Sequence, residues 1–350
     1  MQIYQSGYEL YDAMLAAIDA ARENIYLETY IWKADVVGQA FKEHLVQKAG
    51  QGVAVYVIFD GFANTVVPHD FKAFPSTIRV LQYQALHRPW HVFDPRRYAL
   101  DHRKQLVVDG SIGFLGGYNL GNLYAASWRD THLSVYGPAA ADLARSFVRF
   151  WNQHRRKRDH IHKHYPCRFN PFINVRETSA LQLTFPIRDM YIDAINRAEQ
   201  TIRLTNAYFV PDRTLLEALK AAAQRGVDVQ VLVPWTSNHR LVDWFARASF
   251  AECLQAGIRL FAYQRMLHAK TCTIDGQWTT IGTANLDRLS SVGNYESNVE
   301  IYSKTLARQM ETLFLWDLKH ALEITRAQWM KRPGYVTLEE ALLRPFRFLM

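Results

Sequence analysis

The chain has 350 residues, 49% hydrophobic and 21% charged, enough for one large domain or two ordinary ones with a substantial core. That composition excludes disorder and collagen-like repeats. Lys and Arg number 41 against 33 Asp and Glu, a net charge of +8, which points to an anionic partner: nucleic acid, phosphate or an acidic lipid surface.

In chain order, the N-terminal residues show no basic segment followed by an apolar core, so no signal peptide is expected. An amphipathic helix is expected over residues 11–22, a strand over 25–32 and a second helix over 37–48 with Gly50 as its C-cap. A valine-rich strand follows over 53–59. Residues 110–128 are uncharged but contain five glycines, two asparagines and two serines, which is turn chemistry and no spanning helix. From Arg145 to Arg176 there are nine basic residues and one acidic one, a local net of +8, and the rest of the chain is balanced at 32 of each. This segment reads as a solvated linker or as a contact for an anionic surface. Its four histidines lack the cysteine or carboxylate spacing of a zinc site. A helix over 190–199, a strand over 201–210, a helix over 214–225 capped at Gly226 and a strand over 227–233 complete the pattern. Strand–helix–strand alternation implies α/β layers around largely buried sheets. The three cysteines, Cys167, Cys253 and Cys272, form no C-x-x-C pair and cannot all pair internally, which fits a reducing compartment.

The second half repeats the first. His102, Lys104, Asp109, Gly110, Gly116 and Asn119 recur 166 residues later as His268, Lys270, Asp275, Gly276, Gly282 and Asn285, and Asp130 recurs as Glu296. Upstream, residues 18–25 resemble 195–202, and Gly52-Val53 corresponds to Gly226-Val227. Asp-Gly is a hairpin-turn signal. On the strand before it, positions two apart share a face, so each His points the same way as its Lys. If the halves pack as pseudo-twofold mates, they form one site with two imidazoles, two ammonium groups and two carboxamides.

That set suits phosphoryl chemistry without a metal or other cofactor. Lys104 and Lys270 neutralise phosphate oxygens, and Asn119 and Asn285 donate hydrogen bonds to them. One histidine attacks phosphorus and the other protonates the leaving oxygen, then activates water or an alcohol. Asp130 and Glu296 are the expected partners that fix the imidazole tautomers. Asp109 and Asp275, each next to Gly, are candidate catalytic residues and equally candidate turn-builders.

With these residues the chain resembles the phospholipase D superfamily, whose paired HKD motifs match His102/Lys104/Asp109 and His268/Lys270/Asp275. The resemblance covers roughly residue 7 to the low 320s and extends to bacterial cardiolipin synthases of the short B type. It is carried by Trp128-Arg-Asp-Thr-His132 and by the run from Gly282 to Asn298, where Thr283 replaces the usual Ser. It implies two similar α/β halves, each a mostly parallel-centred sheet flanked by helices, with one shared active site. It also implies a phosphatidyl-histidine on His102 and no metal. The expected organisation is a first half over 1–150, a basic linker over 151–176, a second half over 177–325 and a tail over 326–350. The expected activity is phosphatidyl transfer from phosphatidylglycerol to a second phosphatidylglycerol. Hydrolysis, nucleic-acid phosphodiester cleavage and non-catalytic lipid binding are the alternatives. The expected partners are the phospholipid and an anionic membrane surface, with no nucleic acid, and the expected location is peripheral, on the cytoplasmic face of the inner membrane. Segments suited to that contact are the basic window, residues 62–74, residues 90–93 and the tail at 342–350.

Overall fold

A computed structural model describes residues 1–83, 99–168, 170–179, 184–288, 290 and 293–332. It contains two compact units, Met1–Val175 with Tyr295–Ser297, and Arg176–Asn294 with the chain from Asn298 onward. Among the described residues no helix is long and apolar enough to cross a membrane.

The first unit runs β1 (Gln2–Tyr4), α1 (Gly7–Ala20), β2 (Asn24–Thr29), α2 (Val36–Gly50), β3 (Ala54–Asp60), α3 (His69–Lys72), β4 (Ile78–Tyr83), β5 (Gln105–Val108), β6 (Ile112–Gly116), α4 (Asn122–Ser127), β7 (His132–Tyr136) and α5 (Pro138–His154). Ser6 and Asp35 start α1 and α2 by accepting backbone N–H groups of their first turns. The sheet order is β1-β7-β6-β5-β2-β3-β4. Strands β2, β3 and β4 are parallel, and the remaining pairings are antiparallel. Side-chain alternation on β2 divides the core. Ile25 and Leu27 join Leu10, Met14, Phe41 and Leu45 from α1 and α2. Tyr26 instead stacks on Phe147 of α5 at 4.8 Å.

Two expectations change here. Gly50 is the last residue of α2, and the left-handed position is taken by Gly52 at φ 89°. The C-cap is Gln51, one residue past the expected one, and the chain needs a positive φ only at the residue after it. The basic segment is also more than a linker. Helix α5 continues to His154, and the chain to Val175 belongs to the first unit. Trp151 is buried and donates to Asp159 O at 2.9 Å. The Tyr165 hydroxyl reaches Asn24 at 3.0 Å and Tyr26 at 3.2 Å. Arg145 pairs with Asp142 and Lys163 with Glu23. Arg156, Lys157 and Arg158 are left exposed.

The second unit follows with β8 (Ile173–Thr178), α6 (Pro186–Arg197), β9 (Thr201–Asn206), α7 (Arg213–Gln224), β10 (Asp228–Pro234), α8 (Arg240–Gln255), β11 (Arg259–Tyr263), β12 (Lys270–Ile274), β13 (Trp278–Gly282), β14 (Glu296–Tyr302), α9 (Lys304–Leu318), β15 (Ala321–Ile324) and α10 (Arg326–Met330). Its sheet order is β15-β11-β10-β9-β12-β13-β14-β8. Apart from the added edge strand β15, this is the first unit's order with each strand replaced by its repeat mate. Strands β9, β10 and β11 are parallel, and β12 and β13 return antiparallel. Gly226 takes the left-handed position after α7, at φ 91°. Both sheets are therefore mixed, with a parallel trio joined to an antiparallel hairpin. The hairpin carries the repeated motif.

Each hairpin turns on its Asp-Gly pair. Asp109 and Gly110 have φ 52° and 63°, and Asp275 and Gly276 have φ 51° and 61°. The Asp109 carboxylate accepts the backbone N–H groups of Arg22, Glu23 and Asn24 at 2.8–2.9 Å. The Asp275 carboxylate accepts those of Glu199, Gln200 and Thr201 at 2.7–2.9 Å. Each Asp thus ties its turn to the start of the first parallel strand, at the far end of its hairpin strand, roughly 20 Å of extended chain from the motif histidine. The carboxylate oxygens of both residues are engaged in building the turn. Asp109→Ala and Asp275→Ala should each lower stability by about 2 kcal/mol in urea denaturation, while turnover per folded molecule stays within about threefold.

Candidate active site

In the first motif, His102 and Lys104 lie just ahead of β5 rather than within it. The backbone is held from the side: His102 N–H donates to Tyr295 O at 3.0 Å, and Tyr295 N–H donates to Leu100 O at 2.8 Å. Lys104 Nζ donates to the carbonyl of His102 at 2.5 Å. Imidazole and ammonium therefore come together, as the two-residue spacing requires. The ring of Tyr30, one residue past β2, lies edge-on to His102 at 4.8 Å and 5.0 Å from Lys104 Nζ.

Glu296 is fully buried and places both oxygens 3.0 Å from His102 Nδ1. Although it follows the second motif in sequence, its partner is the first motif's histidine. A carboxylate there holds the proton on Nδ1 and puts the lone pair on Nε2. Asp130 is buried, and its Oδ1 accepts Thr131 N–H at 2.7 Å. Its carboxylate packs so closely on Gly117 that a Cβ there would lie 2.0 Å from Oδ1. Asn119 is anchored through Oδ1, which accepts Ile31 N–H at 3.1 Å, and through its carbonyl, which accepts the Tyr11 hydroxyl. This leaves the carboxamide NH₂ as the donor end.

The second motif repeats the arrangement. His268 is buried, Lys270 Nζ donates to His268 O, and the Tyr208 ring lies 6.2 Å from His268 and 5.8 Å from Lys270 Nζ. Asn285 Nδ2 donates to Ser290 Oγ at 3.4 Å, and its buried Oδ1 has no partner among the described residues. The loop is closed by Ser290 N–H donating to Asp287 at 2.6 Å.

Several contributors were not visible in the motif spacing. Arg103, between the motif His and Lys, is buried rather than solvated. Its guanidinium bridges Glu28 at 2.6 Å and Asp101 at 3.0 Å, and it stacks on Phe150 at 4.1 Å. Gln105 donates to the other Glu28 oxygen. Burial raises the Glu28 carboxyl well above the usual range, and the Arg103 charge opposes this. Asp60, at the end of β3, accepts Asp101 N–H at 3.0 Å and Ala63 N–H at 2.8 Å. Burial pushes its carboxyl up to about 7. His132 is buried, and burial lowers its imidazole to about 3. The tyrosines had one faint signal, an aromatic just past the first parallel strand of each half. The charged cage had none.

Among the surface segments expected at a membrane, Phe71 and Phe74 pack on Trp32 and carry the Lys42 ammonium over their rings. Phe62 and Val66 are exposed. Residues 90–93 and 342–350 lie outside the described residues.

Residues 14–151 and 191–318, each spanning one motif, match the family model described as cardiolipin synthase, PLD-like domain. A cardiolipin synthase of Listeria monocytogenes is 31% identical over 373 aligned residues, covering 98% of this chain and 74% of that one. The chain belongs to the cardiolipin synthase family of phospholipase D-like phosphatidyltransferases. A Staphylococcus aureus cardiolipin synthase matches this family member to the same degree, 31% over 369 residues, covering 98% of this chain and 72% of its own. Two solved structures share the fold at 15% identity. Phosphatidylserine synthase of Haemophilus influenzae has a TM-score of 0.73 and covers 99% of this chain and 93% of its own. Polyphosphate kinase of Porphyromonas gingivalis has a TM-score of 0.64, covering 100% and 53%.

The buried cage around Arg103 generates two expectations. Arg103→Met leaves Glu28 and Asp101 without their cation and should cost about 3 kcal/mol in urea denaturation, with Arg103→Lys recovering only part because it lacks the fork. Asp60, raised to about 7, holds its proton more tightly in the fold than in the unfolded chain. Its contribution is present below about pH 4 and is lost as pH rises to about 7. Denaturation midpoints should fall between pH 5 and pH 8, by an increment absent in Asp60→Asn.

Proposed function

We propose that this family member is a cardiolipin synthase that joins two phosphatidylglycerol molecules and releases glycerol. His102 Nε2 attacks phosphorus as the phosphorus–oxygen bond to the leaving glycerol breaks, giving a phosphatidyl-histidine. His268, protonated at this stage, supplies the proton to the departing oxygen. Neutral His268 then removes the proton from the hydroxyl of the second phosphatidylglycerol. That oxygen attacks phosphorus as the phosphorus–nitrogen bond breaks. Lys104, Lys270, Asn119 and Asn285 hold the non-bridging oxygens, and Glu296 fixes His102 in the tautomer that presents Nε2. No metal or other cofactor enters the scheme.

The observation that carries this reading is the His102–Glu296 pair beside a buried lysine, in a chain whose motif set is duplicated and whose family is that of cardiolipin synthases. The proposal extends to location: the protein would meet its lipid substrate peripherally at an anionic membrane, on the cytoplasmic face.

Purified protein with labelled phosphatidylglycerol in mixed micelles should yield cardiolipin and glycerol. Phosphatidic acid as the only lipid product would make the enzyme a hydrolase, and DNA cleavage in its place would make it a nuclease. His102→Ala and His268→Ala should each reduce turnover by at least about a thousandfold, and Glu296→Gln by about a hundredfold. Activity within tenfold of wild type in either histidine variant would overturn the two-histidine scheme.

A further inference from the structure

The parallel strands β9, β10 and β11 finish at one end of the second unit's sheet. Strand β12 begins there too, because Lys270 sits opposite Asn206, the last residue of β9. His268 therefore lies at the end where β10 delivers Trp235. Tyr208 connects the two: its ring contacts His268, its hydroxyl donates to Asn238 Oδ1 at 2.6 Å, and its ring lies 5.7 Å from His239.

Beyond Tyr208 the surface turns apolar and cationic. Trp235, Leu241 and Trp244 are 48%, 62% and 41% exposed. Thr236, Asn238, His239 and Arg240 between them are also exposed. Leu241 and Trp244 are three apart at the start of α8 and share a face. Arg247 stacks on the Trp235 ring at 5.1 Å and donates to its carbonyl at 2.8 Å. Arg265, just past β11 at the same end, is exposed. Asp243, the one carboxylate between residues 235 and 247, is buried and accepts Ser237 N–H at 3.0 Å. Two tryptophans and a leucine among cations, with no exposed carboxylate in the segment, have the composition of an interfacial anchor.

We propose that the end of β10 and the first turns of α8 dock on an anionic phospholipid bilayer, with Leu241 and Trp244 inserted at the headgroup level and Arg240 and Arg265 on the anionic headgroups. The inference rests on the proposed lipid activity. It is supported by charge complementarity and by continuity through Tyr208 with the second motif, so a lipid held here lies next to His268. None of the segments named from the sequence includes these residues.

The test is co-sedimentation of the full chain with phosphatidylglycerol vesicles. Leu241→Ser with Trp244→Ser should weaken binding at least about tenfold. Arg240→Gln with Arg265→Gln should weaken it about fivefold per charge at low salt, less at high salt. Leu315→Ser with Trp316→Ser, an exposed apolar pair on α9, should leave binding within twofold. Leu241→Cys in a Cys167→Ser background, labelled with a polarity-sensitive dye, should blue-shift on these vesicles and guards against misfolding of the double variant. Binding within twofold in the Leu241/Trp244 variant, an unshifted dye, or equal loss in the α9 pair would overturn the proposal. So would a wild-type dimer that the Leu241/Trp244 variant splits while vesicle binding persists. Binding is read without turnover, so a protein inert toward phosphatidylglycerol would sink the proposed function and leave the docking surface standing.

Discussion

The structure is organised around two ammonium groups withdrawn from water. Lys104 and Lys270 are 2% and 0% exposed. An ammonium in such a place costs several kcal/mol unless its hydrogens find acceptors. Each lysine uses the carbonyl of its own motif histidine as one acceptor. That carbonyl is available because the ladder of the hairpin strand has not begun at the histidine, and β5 and β12 start only at or after the lysine. The position of the imidazole is thereby coupled to the solvation of the cation. The tyrosine ring against each pair seals the arrangement with an electron-rich face.

The large-scale organisation was legible because duplication leaves a constant offset that single motifs lack. Strand–helix–strand alternation identified two of the three parallel strands in each sheet, β2 with β3 and β9 with β10, but not β4 or β11, and Asp109-Gly110 and Asp275-Gly276 identified both hairpins. The choice between turn-building and catalysis for those aspartates was not legible. It depends on N–H groups about 75 to 87 residues away in sequence. The cage of Glu28, Asp101, Arg103 and Gln105 was invisible for a related reason. A charged residue between two others on a strand has the pattern of an exposed face, and only the stacking of Phe150 from α5 makes it interior. For the basic window, composition says little about how the segment is held. Counting charges could not reveal that Trp151 and Tyr165 pin the segment to the first sheet, or that Arg145 and Lys163 already have carboxylate partners.

The repeat is conserved in topology more strictly than in detail. Both sheets place the strand after the first helix beside the motif hairpin, so β2 and β9 each pair with a parallel strand on one side and the motif strand on the other. Among the described residues the second sheet alone gains an edge strand, β15, which covers the edge of β11. The second unit also presents the apolar turn at Trp235 to solvent at the end of its sheet, where the first unit's strand β3 ends in buried Asp60. The halves share a framework and have diverged at the strand ends, where loops carry function.

The His102–Glu296 contact has a consequence for dividing the chain. The first unit is not a continuous stretch of sequence, since Tyr295–Ser297 belong to it. A fragment ending near Val175 would retain the nucleophile candidate, its lysine and the Arg103 cage, yet lose the carboxylate that orients the imidazole and the carbonyl that accepts its backbone N–H. The evident midpoint of the repeat is thus a poor boundary for a minimal active fragment. A permuted chain would have to keep three residues from late in the sequence within reach of a histidine from early in it.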